Sequence, residues 1–186
     1  MNDLLETLAD LVQNRYFGKY RGLVVGYEMF ATRGRIKVSV PAVLGDLQVM
    51  AEPCVPYAGT GVGFLMLPEI GTGVWVEFEG GAPSYPIWVG FFWGDGQLPT
   101  MLAPGEKVII TDQNDLVFDD TGSKIKALSS GGASVEIATG VIAAAGLAGG
   151  SIEVTFSGVT AASGGLGKVE VTKTSTSINS GGLEVT

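Results

Sequence analysis

Histidine is missing from the chain altogether, and cysteine occurs once, as Cys54. Without histidine there is no Ser-His-Asp or Cys-His arrangement, no imidazole base and no histidine metal site. A single thiol excludes an intrachain disulfide, and Cys54 is expected to be a small buried hydrophobe. No stretch approaches the roughly 18–20 apolar residues of a membrane helix. Positive charge is scarce: 11 Lys and Arg stand against 19 Asp and Glu, for a net charge of −8 and a pI near 4.4. Such a chain repels phosphate backbones, which argues against nucleic acid or an anionic membrane as partner. The first residues, Met1-Asn2-Asp3-Leu4-Leu5-Glu6, carry acids where a secretory signal carries bases. Synthesis in the cytoplasm without a signal peptide is the expectation.

Two further scarcities divide the chain. All eight prolines lie at or before Pro104, and of sixteen aromatic residues only Phe118 and Phe156 follow it. A globular core needs aromatic volume, so the last third cannot be an ordinary globular domain. Glycine is abundant instead, at 29 residues without a three-residue period, which excludes collagen.

Before the break, Leu4, Leu5, Leu8, Leu11 and Val12 fall on one helical face within residues 3–16, with Asp3 and Glu6 in the first turn. This helix either packs on its own domain or docks on a neighbouring subunit. Residues 20–93 then alternate at a period of two, with strands expected at 21–27, 34–40, 47–52, 73–79 and 86–92. Ile36, Val38 and Val40 alternate with Arg35, Lys37 and Ser39, and Val74, Val76 and Phe78 with Trp75, Glu77 and Glu79. Five short strands separated by Gly- and Pro-rich turns suggest a small Greek-key barrel of the OB type.

After the break an apolar-Glu-apolar unit recurs as Val135-Glu136-Ile137, Ile152-Glu153-Val154, Val169-Glu170-Val171 and Leu183-Glu184-Val185, with the glutamates 17, 17 and 14 residues apart. Double glycines interleave at 131–132, 149–150, 164–165 and 181–182. The pattern reads as a stacked, quasi-linear β architecture; Gly/Ser/Thr-rich disorder is the alternative. One strip cannot bury its apolar row. Each buried Val, Ile or Leu contributes about 1.5–3 kcal/mol, against about 1–2 kcal/mol of backbone ordering cost per residue. Several chains around one axis solve this, and three suit a triangular prism. The expected inward residues are Val135, Ile137, Ile152, Val154, Phe156, Val169, Val171, Leu183 and Val185.

Residues 51–59, Gly63-Phe64, and Pro68 to Gly94 (PEIGTGVWVEFEGGAPSYPIWVGFFWG) carry a resemblance. The order Pro-Glu-x-Gly, alternating strand, Phe-x-x-Gly-x-Pro-x-x-Pro, Val-Gly resembles the OB domain of the phage baseplate assembly protein V family. That family is similar to the spikes of type VI secretion and extracellular contractile systems. Leu116 to Gly122 resembles the start of the family's needle. The resemblance implies an all-β homotrimer: a helix over 1–18, an OB barrel over 19–94, a linker over 95–115 and an intertwined β-helix needle over 116–186. It further implies contacts with baseplate hub and tail-tube proteins, a hub-docking helix, and action at the target cell envelope. Chains of this kind end in a His-x-His iron apex or in a blunt tip. Histidine is absent, so Leu183, Glu184, Val185 and Thr186 are expected to meet a separate PAAR-type cap. Neither catalytic residue nor cofactor nor metal is assigned.

Other clusters have bland readings. Glu77 and Glu79 form a carboxylate pair, more simply a solvated strand face. Asp112, Asn114, Asp115, Asp119 and Asp120 are rich in oxygen but lack the pattern of an EF-hand loop. Arg33, Arg35 and Lys37 form a short basic patch, and OB barrels can bind oligonucleotides or sugars. A soluble binding module with a flexible tail is therefore the rival reading. Trp75, Trp88 and Trp93 are expected in the barrel core or an interface.

Overall fold

The computed structural model describes residues 9, 12, 14–28, 33–99, 103–165, 167–179 and 182–185. Leu4, Leu5, Leu8, Leu11 and Thr186 lie outside them. Of the expected helix over 3–16, residues 9, 12 and 14–16 are described: Ala9 and Val12 are helical and exposed, whereas Asn14, Arg15 and Tyr16 are not helical. The chain divides into two compact units, residues 1–98 and 99–186.

The first unit is built on seven strands: β1 (Tyr20–Tyr27), β2 (Ile36–Ser39), β3 (Gln48–Pro53), β4 (Ala58–Gly59), β5 (Val62–Gly63), β6 (Gly73–Phe78) and β7 (Pro86–Phe92). Five close a barrel in the order β1-β2-β3-β7-β6, while β4 and β5 pair as a separate hairpin. Every barrel pairing is antiparallel except β3 with β7. One parallel pair closing a five-stranded barrel is the OB arrangement. Alternation delivers the core: Val24, Ile36, Val38, Val40, Ala51, Val74, Val76, Phe78 and Trp88 are buried, with Tyr16 and Tyr20 packed against them. The Trp88 indole N–H donates to the Gly34 carbonyl at 3.3 Å, giving the ring its polar partner.

Gly22 marks the tightest approach in the wall. A Cβ there would lie 2.7 Å from the Ser39 carbonyl oxygen and 3.2 Å from Val40 Cγ2. Gly22→Ala is expected to cost about 1–3 kcal/mol, read as a lowered melting temperature, because backbone cannot yield as a side chain can.

Two expectations for this unit fail. Cys54 is exposed although its N–H still donates to the Trp88 carbonyl at 2.9 Å: the next residue, Val55, packs against the core, and Cys54 takes the outward position. Glu79 is not a strand partner of Glu77: β6 stops at Phe78, and Glu79 opens a 3-10 turn through Gly81. Gly80 and Gly81 both have positive φ there, which turns the chain before Pro83.

The second unit is a ten-stranded antiparallel sheet, each strand pairing with its neighbours in sequence. Its strands are β8 (Glu106–Ile110), β9 (Asn114–Asp119), β10 (Lys124–Ser129), β11 (Ser134–Ala138), β12 (Val141–Ala145), β13 (Ser151–Thr155), β14 (Gly158–Ala162), β15 (Lys168–Thr172), β16 (Thr176–Ile178) and β17 (Leu183–Val185). The stretch expected as linker to residue 115 is thus partly strand. Pro99, Pro104 and Gly105 give it a loop-like composition, yet Glu106–Ile110 is a full rung of the sheet. The four apolar-Glu-apolar units sit on β11, β13, β15 and β17, so the repeat is a hairpin, two strands long. Its spacing of 17, against 14 at the end, follows from strand length: the connections total seven residues in both cases, but β14 has five residues where β16 has three, and β17 begins one residue before Glu184 where β15 begins two before Glu170.

Candidate assembly surfaces

The pairing register sorts the side chains of the second unit into rows. Ile109, Leu116, Ala127, Val135, Ala144, Ile152, Ala161, Val169, Ile178 and Leu183 stand opposite one another across successive strands. Two residues along each strand, Phe118, Ile125, Ile137, Ile142, Val154, Val159, Val171 and Thr176 form a second row at the same pleat parity. Both rows therefore lie on one face. From β9 to β15 neither row contains a charged residue. The first row alternates in size, with Ala127, Ala144 and Ala161 between Leu116, Val135, Ile152 and Val169. It lines a concavity of about 1100 Å³.

The intervening residues point the other way. Lys126, Glu136, Ala143, Glu153, Thr160, Glu170 and Ser177 make the central row of the opposite face. Lys126 pairs with Glu136 at 3.7 Å and Lys168 with Glu170 at 2.8 Å. One face is apolar and the other charged and water-compatible.

Yet the apolar face is uncovered within the chain. Ile152 is 55% exposed, Ile142 54%, and Val135 and Ile137 49% each. Every buried residue among the described ones lies at or before Trp88; the second unit has none. Unpartnered apolar faces of this length mark an interface. Of the expected inward residues, Val135, Ile152, Val169 and Leu183 fall in the first row and Ile137, Val154 and Val171 in the second; the side chain of Val185 lies outside the described ones. Phe156 falls in neither: it sits in the two-residue turn between β13 and β14, exposed, with the Lys173 ammonium 3.9 Å from its ring centroid. The spacing 152, 154, 156 gave it the right parity, but the strand ends at Thr155. The double glycines lie in turns on one edge of the sheet. At Gly164 a Cβ would lie 1.5 Å from the Ala148 carbonyl oxygen, so two successive turns on that edge touch through backbone alone.

On the barrel, two of the three residues of the basic patch are ion-paired. Arg35 pairs with Glu28, and with Glu52 at 3.7 Å; Arg33 reaches Glu52 at 3.3 Å. The hydrogen bond to Glu28, with the charges of Glu28 and Glu52, raises the Arg35 pKa further above its ordinary value. The Arg21 guanidinium lies over both Trp75 and Phe92, 4.9 and 4.7 Å from their ring centroids. Those rings are therefore occupied. Trp88 is core and Trp93 is exposed, beside Phe91 and Ile70. Sequence reasoning missed one surface feature: Phe64, Leu65, Met66 and Leu67 are all exposed, next to exposed Val62 and Tyr57. Four consecutive apolar residues without alternation were the available signal.

The acidic cluster is likewise paired. Asp119 accepts from the Gly122 N–H at 2.7 Å and lies 3.8 Å from Lys124, and Asp120 pairs with Lys107. Among the described residues no group of three or more His, Cys, Asp or Glu side chains is placed to hold a metal. No helix among them is long and apolar enough to cross a membrane.

No curated protein matches the chain. Residues 20–93, the span from the start of β1 to just past β7, match the family described as the type VI secretion system/phage-baseplate injector OB domain. The closed barrel with its single parallel pair is the fold that this description names, so the barrel, residues 20–93 of the chain, is an injector-type OB domain.

Proposed function

We propose that the chain is the central spike of a contractile injection apparatus, acting as a homotrimer and mechanically rather than catalytically. The barrel sits on the baseplate hub, beneath the tail tube, and the ten-stranded sheet projects toward the target envelope. The observation that carries this reading is the sheet's uncharged, uncovered two-row face beside a barrel of the injector family. Three copies turn these faces inward and their glutamate rows outward. Covering a half-exposed Val or Ile contributes about 1 kcal/mol, so two rows supply what the second unit lacks alone. The force of a contracting sheath is then borne by continuous strand ladders around a packed interior.

The hub contact is assigned to the segment bearing Leu4, Leu5, Leu8, Leu11 and Val12. Strand β17 pairs only with β16 among the described strands, which leaves an open edge. A PAAR-type cap fits there, against Leu183, Glu184, Val185 and Thr186. Negative-stain microscopy of the purified protein tests the reading. Ten strands at about 4.8 Å spacing extend the sheet roughly 43 Å along its stacking direction, so rod-shaped density of that length is expected; particles without it would count against the reading.

The binding-module reading loses its main support, because Arg33 and Arg35 are held by Glu28 and Glu52. Single-stranded oligonucleotide is expected to show no salt-dependent affinity for the protein by fluorescence anisotropy. A steep fall of affinity with salt would revive that reading.

A further inference from the structure

The sheet also indicates how copies of the needle meet. Its ten strands form one unbroken in-chain meander, each hydrogen-bonded to the strand before and after it in sequence. Interior strands therefore have both ladder edges satisfied by their own chain, and only β8 and β17 keep a free edge. An intertwined needle requires the opposite, with each strand's neighbours supplied by other chains. The connections agree with the meander. The turns at 139–140, 156–157 and 173–175 are only two or three residues long. Antiparallel neighbours are joined by turns of that length. The Gly164 turn, seated against the Ala148 carbonyl, packs one in-chain hairpin on the next.

We infer that each chain supplies one complete wall of the needle, and that the walls meet through side chains alone. The occupant of the apolar face is a second copy of the same face. Three observations favour this occupant over an unrelated partner. The face carries no charge from β9 to β15, so a charged partner gains nothing there. Its length equals that of the partner copy's own uncovered face. Its first row alternates Ala127, Ala144 and Ala161 with larger residues, so an identical row provides knobs and hollows at the same repeat. This inference rests on the homotrimeric reading and replaces the expectation of interchain strand winding. It also means that the needle's hydrogen-bond ladder is set by the local sequence of one chain, while its stability comes from the other two.

Paired cysteines on the charged face distinguish the two arrangements. Glu136 faces Ala143, Glu153 faces Thr160 and Glu170 faces Ser177 across adjacent strands. Directly opposed residues lie about 4.5–5.5 Å apart at Cα, within disulfide range. The pairs E136C/A143C, E153C/T160C and E170C/S177C would be made in a Cys54→Ser background and oxidised with copper phenanthroline. Mass in solution would be measured before denaturation. Self-contained walls give native trimers that run as single chains on a non-reducing denaturing gel, with both thiols consumed. Covalent dimers and trimers on that gel would overturn the walls while leaving the trimeric spike intact. Native trimers with free thiols at all three pairs would overturn the register, and the walls with it. Monomers in the unmodified Cys54→Ser protein would overturn the spike reading itself.

Discussion

Ile152→Asp is expected to abolish trimer assembly outright. Ile152 stands in the middle of the first apolar row, between Ala144 and Ala161, and is half exposed in the single chain. In the trimer the substitution places three carboxylates against an uncharged interior. An uncompensated buried charge costs about 3–5 kcal/mol, and three close together cost more. Sedimentation should show monomer or aggregate, and protease should reach the tail. Val171→Asp, in the second row, should act in the same direction. Thr160→Lys, a charge placed on the opposite face between Glu153 and Glu170, should leave the trimer intact and change stability by no more than about 1 kcal/mol. An Ile152→Asp protein that stayed trimeric and protease-resistant would place the interface on the other side of the sheet.

Trp88→Ala should produce the largest effect on the barrel. Trp88 is 3% exposed, closes the core against Val24, Ile36, Val38, Val74 and Val76, and uses its N–H on Gly34. Truncating a buried tryptophan costs about 3–5 kcal/mol, a large part of the 5–15 kcal/mol that holds a typical domain. Near-ultraviolet circular dichroism should show a melting transition lowered by many degrees, or none at all. Trp88→Phe keeps most of the ring and loses the hydrogen bond, so it should fall between the two. Near-native melting of the alanine variant would contradict the core described above.

The barrel was legible because it obeys local rules throughout. Ile36, Val38 and Val40 alternate with polar residues, β6 repeats the pattern, and the Gly- and Pro-rich turns fall between strands. The motif from Pro68 to Gly94 carried the family. Departures came where one local choice overrode alternation. Gly80 and Gly81 turned the chain early and removed Glu79 from the strand, and Val55 rather than Cys54 took the place against the core. The basic patch was visible as Arg33, Arg35 and Lys37, but the pairing of its two arginines was not. Glu28 follows the end of β1 and meets Arg35 across the β1–β2 connection, and Glu52 comes from β3, so both contacts depend on how the strands pair.

In the tail, the glutamate spacing revealed the repeat, and the rule of two placed the apolar residues on one face. What the spacing could not say was where each strand's hydrogen-bond partner comes from. A period of 17 fits a turn of a winding chain or a hairpin folded back on itself. The short connections at 139–140 and 156–157 decide for the hairpin, and they lack the double glycines that drew attention elsewhere. Phe156 was misplaced for a related reason: parity identifies a face but does not show where a strand stops. The alternation of alanine with Val and Ile along the first row was invisible in one dimension, since its members are about 8 to 10 residues apart. It appears only once the register is known.

Mass in solution by multi-angle light scattering, repeated after limited proteolysis, tests the central claim most directly. The spike account predicts a stable species near three times the 19.2 kDa chain mass, with the second unit uncut. A 19.2 kDa monomer that loses everything beyond about residue 98 would contradict it, because the apolar face would then have no partner among its own copies.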